Sequence, residues 1–159
     1  MERKVSGKLM DKDVWDWMQN NYFSVTQPTL RNSAGIDPLI LAAQQGRSDV
    51  VQFLLDQGAS VEVLDIYGNN ALWAACYANS SECIKLLLDA GININFQNTA
   101  SGATVLIFAA SSGREAVVEQ LIAAGAAVDL TTLDDFTALD LASTPKILKL
   151  LYKLVKSGD

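Results

Sequence analysis

Apolar residues and glycines recur along the chain at intervals of 33 or 34 residues. Two sets of glycines share this register, Gly35/Gly68/Gly102 and Gly58/Gly91/Gly125. Five sets of apolar residues share it as well: Leu39/Leu72/Leu106, Ala42/Ala75/Ala109, Val51/Ile84/Val118, Leu54/Leu87/Leu121 and Val61/Ile94/Val128. A period of this length is typical of solenoids, in which one supersecondary unit stacks on copies of itself. The pattern therefore predicts three stacked units of similar structure.

Each unit carries the signals of a turn followed by two helices. In the first unit the turn ends at Gly35, and a short helix over 38–43 follows with Asp37 as its N-cap. After a polar break, the apolar stripe of 48–57 predicts a longer helix that packs on one side. Gly58 ends that helix, because glycine adopts the left-handed C-terminal cap without a Cβ penalty. Units two and three repeat this order.

The first 31 residues fit the repeat poorly, and we predict that they form an N-terminal cap. A helix is predicted over 11–22, with one apolar stripe formed by Met10, Val14, Trp17 and Met18. Trp15 cannot share the direction of Trp17 fully. It either packs at the edge of the cap or lies exposed as a contact residue.

A fourth, shortened unit begins at Thr132 and is predicted to form a C-terminal cap. Its helix over 146–155 has an outer face that should be polar, because no further unit covers it. Lys146, Lys149, Lys153 and Lys156 share one helical face. That face is either a solvated cap surface or a contact with an anionic surface. The predicted divisions of the chain are 1–31, 32–64, 65–97, 98–131 and 132–159.

Two segments of each unit resemble the ankyrin repeat, a β-turn plus two antiparallel helices. The family's G-x-T-P-L-H-x-A-A segment is matched at 35–43, 68–76 and 102–110, and its L-L-x-x-G-A-x-V-[ND] segment at 54–62, 87–95 and 121–129. The resemblance implies an all-α ankyrin-repeat solenoid of stacked helix-turn-helix units with β-turn or hairpin tips. The family's usual histidine is replaced by Ile40, Trp73, Ile107 and Asp140. We therefore expect the hydrogen bond that this histidine supplies between repeats to be missing.

The composition argues against most catalytic and metal-binding chemistry. The chain has no histidine, the commonest general base near neutral pH and the commonest zinc ligand. Cys76 and Cys83 are too few for a zinc cluster, and we predict that both are reduced and structural. Asp134 and Asp135, with Asp140 nearby, could hold a divalent cation, yet adjacent acids in a turn are more often simply solvated. We expect no catalytic residue, no cofactor and no metal site.

The charge distribution bears on partners and compartment. Residues 31–145 carry four basic and 13 acidic side chains, so this part of the chain should repel phosphate backbones. No apolar run approaches the roughly 18 residues that a membrane-spanning helix needs, and residues 1–10 lack the apolar block of a secretory signal. We therefore expect a cytoplasmic protein that binds neither nucleic acid nor membranes.

The resemblance implies that partners bind the concave face formed by the turn tips and the first helices. The projecting residues of interest are Ile36, Gln44, Ile66, Tyr67, Asn69, Trp73, Tyr77, Leu133, Asp134 and Phe136. Tyrosine and tryptophan most often carry interface energy, which favours the second unit as its centre. Trp73 either contributes to this surface or packs between repeats, and Phe96 and Phe136 either project or close the turns against each other.

The sequence thus favours a monomeric, non-catalytic module that binds another protein, one with a basic surface, as an inhibitor, adaptor or scaffold. Two alternatives stay open. One is a regulatory subunit that docks a single enzyme in a stable assembly. The other is an enzyme with an unfamiliar carboxylate or thiol site at Asp134, Asp135 or Cys83.

Overall fold

The computed structural model of the chain describes residues 3–5 and 7–158. Within this part of the chain, a short antiparallel hairpin precedes eight helices. The strands are β1 (Lys4–Val5) and β2 (Lys8–Leu9), and the helices are α1 (Lys12–Asn20), α2 (Pro38–Gln44), α3 (Ser48–Asp56), α4 (Ala71–Tyr77), α5 (Ser81–Asp89), α6 (Val105–Ser111), α7 (Glu115–Ala123) and α8 (Pro145–Ser157). The predicted all-α repeat architecture is confirmed, and the N-terminal hairpin is an addition that the sequence pattern did not reveal.

Each of the three full units consists of a seven-residue helix followed by a nine-residue helix. The first helix of each unit begins at a buried polar residue: Asp37, Asn70 or Thr104. The Asp37 carboxylate accepts a hydrogen bond of 3.1 Å from the Ile40 N–H, as its predicted N-cap role requires. Burial raises the pKa of this carboxyl, and the Ile40 hydrogen bond partly opposes the shift.

The core lies between two rows of helices. Helix α2 packs against α4 and α4 against α6, while α1, α3 and α5 form a second row and α8 packs against α7. Alanines in the first helices, such as Ala42, Ala75 and Ala109, are completely buried and let neighbouring helices approach closely. The register sets Val51/Ile84/Val118 and Leu54/Leu87/Leu121 are also completely buried, so each unit contributes equivalent residues to one continuous core.

The turn tips explain why one interval is 34 residues instead of 33. In the second tip the Asp65 N–H donates to the Asn69 carbonyl, whereas in the third the Asn98 N–H donates to the Ala103 carbonyl. The third tip therefore holds one more residue between its closing partners. Gly102 still keeps the left-handed backbone conformation of Gly35 and Gly68, with φ angles of +74°, +77° and +80°, so the extra residue leaves the end of the tip unchanged.

The N-terminal cap ends like the second helix of a repeat. Helix α1 has nine residues, as α3 does, and its stripe of Met10, Val14, Trp17 and Met18 is buried as predicted. The Phe23 N–H donates to the Met18 carbonyl, and in the first full repeat the Ala59 N–H makes the same bond to Leu54. Trp15 is buried, which is the packing alternative of the two considered from the sequence.

The C-terminal unit differs from expectation in two respects. Its first helix is reduced to a turn over 138–141, and its second helix is the longest of the described helices, with 13 residues. The expectation of a polar outer face was wrong, because Leu148 and Tyr152 are 49% and 57% exposed. Lys146, at one edge of the predicted lysine face, is not simply solvated, since its Nζ lies 2.9 Å from Glu119 Oε1 on α7.

Candidate partner-binding face

An open cleft of about 270 Å³ lies where the second tip meets the first helices of all three full units. We call it the aromatic cleft. Its lining residues are Ile40, Gln44, Asp65, Tyr67, Asn69, Trp73, Ala74, Tyr77 and Phe108. Helices α2, α4 and α6 contain no charged residue, so the floor of the cleft is apolar. Such a concave, largely apolar surface with a few polar groups is typical of a binding site.

Trp73 is both a packing residue and a surface residue. Its ring stacks on Phe108 of the next repeat, with ring centroids 5.1 Å apart, and it is only partly buried. Its indole Nε1 is buried without a hydrogen-bond acceptor, an unfavourable arrangement for a donor that usually finds a partner. The two alternatives left open for Trp73 therefore both describe part of its environment.

Arg114 fixes the far end of the aromatic cleft. Its Nη1 donates to the Tyr77 carbonyl at 2.9 Å and to Asn79 Oδ1 at 2.8 Å. Its guanidinium carbon also lies 5.4 Å from the centre of the Tyr77 ring and 5.2 Å from that of Phe108. One cation therefore connects the second and third repeats and contacts the exposed Tyr77 ring and the partly buried Phe108 ring.

Sequence reasoning missed Arg114 and Phe108. Phe108 shares its register position with Leu41 and Ala74, and nothing in the motif singles it out as a surface residue. The only available signal for Phe108 was its size, an aromatic ring where the first two repeats have aliphatic side chains. Arg114 lies 37 residues from Tyr77, and no local pattern indicates that they meet.

Asn98 holds the other end of the cleft. Its Nδ2 donates to the Tyr67 carbonyl at 2.8 Å and to Asn69 Oδ1 at 2.7 Å, which ties the third tip to the second. The Asp65 carboxylate accepts the N–H groups of Tyr67 and Asn69, each at 2.9 Å. The backbone beneath the Tyr67 ring is thus fixed from two sides, while the side chain itself is 71% exposed.

Side chains of the turn tips make hydrogen bonds between repeats in this chain, which has no histidine. Besides Asn98, Arg31 donates to the Leu64 carbonyl at 3.1 Å and Gln97 to the Thr131 carbonyl at 3.0 Å. Arg31, Leu64, Gln97 and Thr131 occupy one register position of successive units, so these bonds recur along the row of tips. The tips therefore supply the bonds between repeats that were attributed to the absent histidine.

The structure brings together half of the predicted partner-binding residues. Gln44, Tyr67, Asn69, Trp73 and Tyr77 line the aromatic cleft. The other five, Ile36, Ile66, Leu133, Asp134 and Phe136, are exposed but lie outside its lining.

The two cysteines are free thiols and completely buried, which confirms the structural role predicted for them. Burial raises the pKa of the Cys76 thiol to about 12 and also raises that of Cys83. Neither is therefore activated as a nucleophile. Across residues 3–5 and 7–158, no group of three or more Cys, Asp or Glu side chains is placed to hold a metal ion.

Stacked two-helix units, hydrogen-bonded tips and an open concave face define a repeat solenoid of the kind that generally binds proteins without catalysis. Residues 14–98 match the family model described as ankyrin repeats in three copies, and residues 101–133 match the model of a single ankyrin repeat. The chain belongs to the ankyrin-repeat family. No described helix is both long enough and apolar enough to cross a membrane.

Relatives in the family have different roles. Human ankyrin repeat and SOCS box protein 3 is 39% identical over 101 residues, which cover 62% of this chain and 20% of that protein. Glycerophosphocholine phosphodiesterase gde1 of Schizosaccharomyces pombe is 32% identical over 75% of this chain and 11% of that protein. The solved ankyrin repeat domain of Bcl-3, a member of the IkappaB family, superposes with a TM-score of 0.71 at 32% identity, over 77% of this chain and 54% of that domain. The chain thus spans only part of each of these relatives.

Proposed function

We propose that this chain is a non-catalytic protein-binding module whose partner docks on the aromatic cleft. The observation that carries the proposal is that two exposed tyrosines, Tyr67 and Tyr77, line one apolar cleft and are held there by Asn98 and Arg114. The backbone at Tyr67 and the ring of Tyr77 are fixed before binding, which reduces the conformational entropy lost when a partner docks. The cleft is therefore prepared to receive a side chain from another protein.

The proposal includes the chemistry of the partner. The apolar floor favours an inserted apolar or aromatic side chain, and the Asp65 carboxylate at the cleft favours a neighbouring basic group. The 13 acidic and four basic residues of 31–145 favour a partner with a basic surface. We place this interaction in the cytoplasm, with the chain acting as a monomer and as inhibitor, adaptor or scaffold.

The absence of catalysis belongs to the same proposal. The buried thiols of Cys76 and Cys83 support it, because neither has the exposure or the lowered pKa of a reactive cysteine. The relative gde1 is by name a phosphodiesterase, but the match covers only 11% of that protein. It gives no reason to assign that activity to this chain.

The test compares the affinities of two double variants for a partner protein. The partner is first isolated by its binding to the full chain. Tyr67→Ala with Tyr77→Ala should weaken binding by about 1–4 kcal/mol, because aromatic anchors dominate interface energy. Tyr22→Ala with Leu30→Ala removes two exposed side chains outside the cleft and should leave the affinity unchanged. Isothermal titration calorimetry measures both, and circular dichroism checks the fold. Equal affinity in the two double variants would place the interface elsewhere.

The ionic-strength dependence of the association rate tests the charge of the partner separately. Attraction between an acidic chain and a basic partner should make association slow as salt is added. Stopped-flow measurements at about 50 and 500 mM salt span the relevant screening range. A rate that does not change with salt would contradict the basic surface while leaving the aromatic cleft as the docking site.

A further inference from the structure

The last helix leaves exposed a residue that every full repeat buries. Val51, Ile84 and Val118 lie four residues after the residue that caps their helix, and all three are 0% exposed. Leu148 lies four residues after Thr144, the N-cap of α8, and is 49% exposed. An interior residue type is therefore present at a position where nothing among the described residues covers it.

Leu148 belongs to an apolar stripe on one flank of α8. Tyr152 and Val155 follow it at intervals of four and three residues and are exposed as well, so the three share one side of the helix. Lys146, which pairs with Glu119 on α7, points about 160° away from Leu148 around the helix axis, since each residue turns the helix by about 100°. The stripe therefore faces away from α7, on the side where the second helix of a further repeat would stack.

Lysines lie along one side of this stripe, with Lys156 and Lys149 next to Tyr152 and Lys153 farther round the helix. Lys149, Lys153 and Lys156 are exposed, and no carboxylate of a described residue lies within ion-pair distance of their Nζ atoms. A shallow groove along α8 is lined by these three lysines, Tyr152 and Ser157. Lys146 lies at the α7 edge of this row of lysines, and it shows how such a lysine is used when a helix packs beside it, because it pairs with both Glu115 and Glu119 of α7.

We propose that this outer face of α8 is a second docking surface, for an amphipathic helix of an acidic partner protein. The apolar side of that helix covers Leu148, Tyr152 and Val155, as the next helix of a solenoid would. Its glutamates or aspartates pair with Lys149, Lys153 and Lys156, as Glu115 and Glu119 pair with Lys146. This surface is separate from the aromatic cleft and takes a partner of opposite charge, so it stands or falls independently of the proposed function.

A second copy of the chain fits this face less well. Two copies related by a twofold axis would bring the lysines of one α8 against those of the other, and facing like charges oppose association. A membrane surface would attract the lysines, but only three apolar side chains of α8 are exposed, because Ile147 and Leu151 are buried, and three give little area to insert.

The probe is a fluorescent synthetic peptide of three or four heptads, with leucine at the a and d positions and glutamate at e and g. A second peptide with lysine at e and g is the charge control, because it keeps the apolar stripe and reverses the sign of the charges beside it. Fluorescence anisotropy with the full chain should show saturable binding of one acidic peptide per chain and no binding of the basic one. Equal binding of both peptides, or of neither, would overturn the proposal.

Variants locate the surface. Leu148→Ser, and separately the pair Lys149→Glu with Lys153→Glu, should each weaken acidic-peptide binding at least tenfold. The pair Lys8→Glu with Lys85→Glu changes net charge equally at distant exposed sites and should have a much smaller effect. The Tyr67→Ala, Tyr77→Ala variant should bind the peptide normally, which separates this surface from the aromatic cleft. Unchanged affinity in the two α8 variants would contradict the assignment.

Two further measurements decide between occupants. Sedimentation of the full chain should show a monomer, and flotation with vesicles containing phosphatidylserine should show no association that depends on α8. A dimer abolished by Leu148→Ser, or vesicle binding abolished by Lys149→Glu with Lys153→Glu, would assign the face to a second copy or to a lipid surface and overturn the proposal.

Discussion

At the scale of single residues, three positions other than glycine adopt the left-handed backbone conformation within the described chain: Tyr22, Asn79 and Asp135. Asn79 takes the register position of Gly46 and Gly113, and Asp135 that of Gly102. Asparagine and aspartate tolerate this conformation better than other residues with a Cβ. The backbone of the fourth tip thus accounts for the acid at position 135 without a metal. Tyr22 is the costlier case, a bulky side chain at the end of α1 in a conformation that Gly58 adopts at the end of α3.

The thiols provide a prediction at this scale. Cys76 and Cys83 should react with a thiol reagent on the order of a hundredfold more slowly in the native chain than in denaturant, because the reagent must wait for local opening. Timed labelling with Ellman's reagent measures both states. The variant Ser81→Cys places a thiol at an exposed position of α5 and should label at once, as a control. Fast native labelling of both natural thiols would contradict their burial.

At the scale of elements, adjacent tips approach each other closely. The Leu133 N–H of the fourth tip donates to the Ser101 carbonyl of the third at 2.9 Å. A Cβ added to Gly102 would lie 2.7 Å from the Leu133 nitrogen, far inside a normal contact. At the equivalent Gly35 of the first tip, an added Cβ would meet nothing within 4 Å. Glycine is thus needed at Gly102 for space as well as for its backbone conformation.

Matched alanine variants separate these two requirements. Gly35→Ala and Gly102→Ala share the conformational cost of about 1–2 kcal/mol, since their φ angles are +77° and +74°. Gly102→Ala should lose a further 1–3 kcal/mol or so, because the tips must separate to admit the methyl group. Urea unfolding gives both free energies of unfolding. Equal losses in the two variants would show that the third and fourth tips do not depend on this close approach.

At the scale of the whole molecule, each unit is stabilised mainly by its neighbours, as in other solenoids. The fourth unit covers the third in two ways: α8 packs against α7, and Ser143 donates both its N–H and its hydroxyl to the Ala110 carbonyl, at 3.1 and 3.0 Å. It covers the third unit without presenting a fully polar surface of its own. The fourth unit thus covers the third unit on one side and leaves the apolar Leu148 exposed on the other.

Removal of residues 132–159 should cause aggregation, because it exposes apolar side chains of the third repeat such as Val118 and Leu121. Size-exclusion chromatography and thermal unfolding of residues 1–131 check this expectation. The full chain with Leu148→Ser is the control and should stay monomeric and folded, since that side chain is already half exposed. A truncated chain that is soluble, monomeric and cooperatively folded would contradict the capping role of the fourth unit.

Much of the fold depends on local chemistry, and that part could be predicted from the sequence. The register of the repeats, the N-cap at Asp37 and the burial of Cys76 follow from residue types and spacings within one unit. The exposure of Tyr67 and Tyr77 could be predicted in the same way, from their positions at a tip and at a helix end.

Other features depend on which residues distant in the sequence come together, and only the tertiary structure decided them. Arg114 meets the Tyr77 carbonyl across 37 residues, and Asn98 meets that of Tyr67 across 31, because stacking aligns the ends of adjacent units. The helical spacing of α8 indicates an amphipathic helix but not which flank a neighbour covers. Leu148 is apolar, like Val118 at the equivalent position of α7, but Val118 is buried and Leu148 is half exposed. Burial in a stack depends on the neighbouring unit as well as on the residue itself.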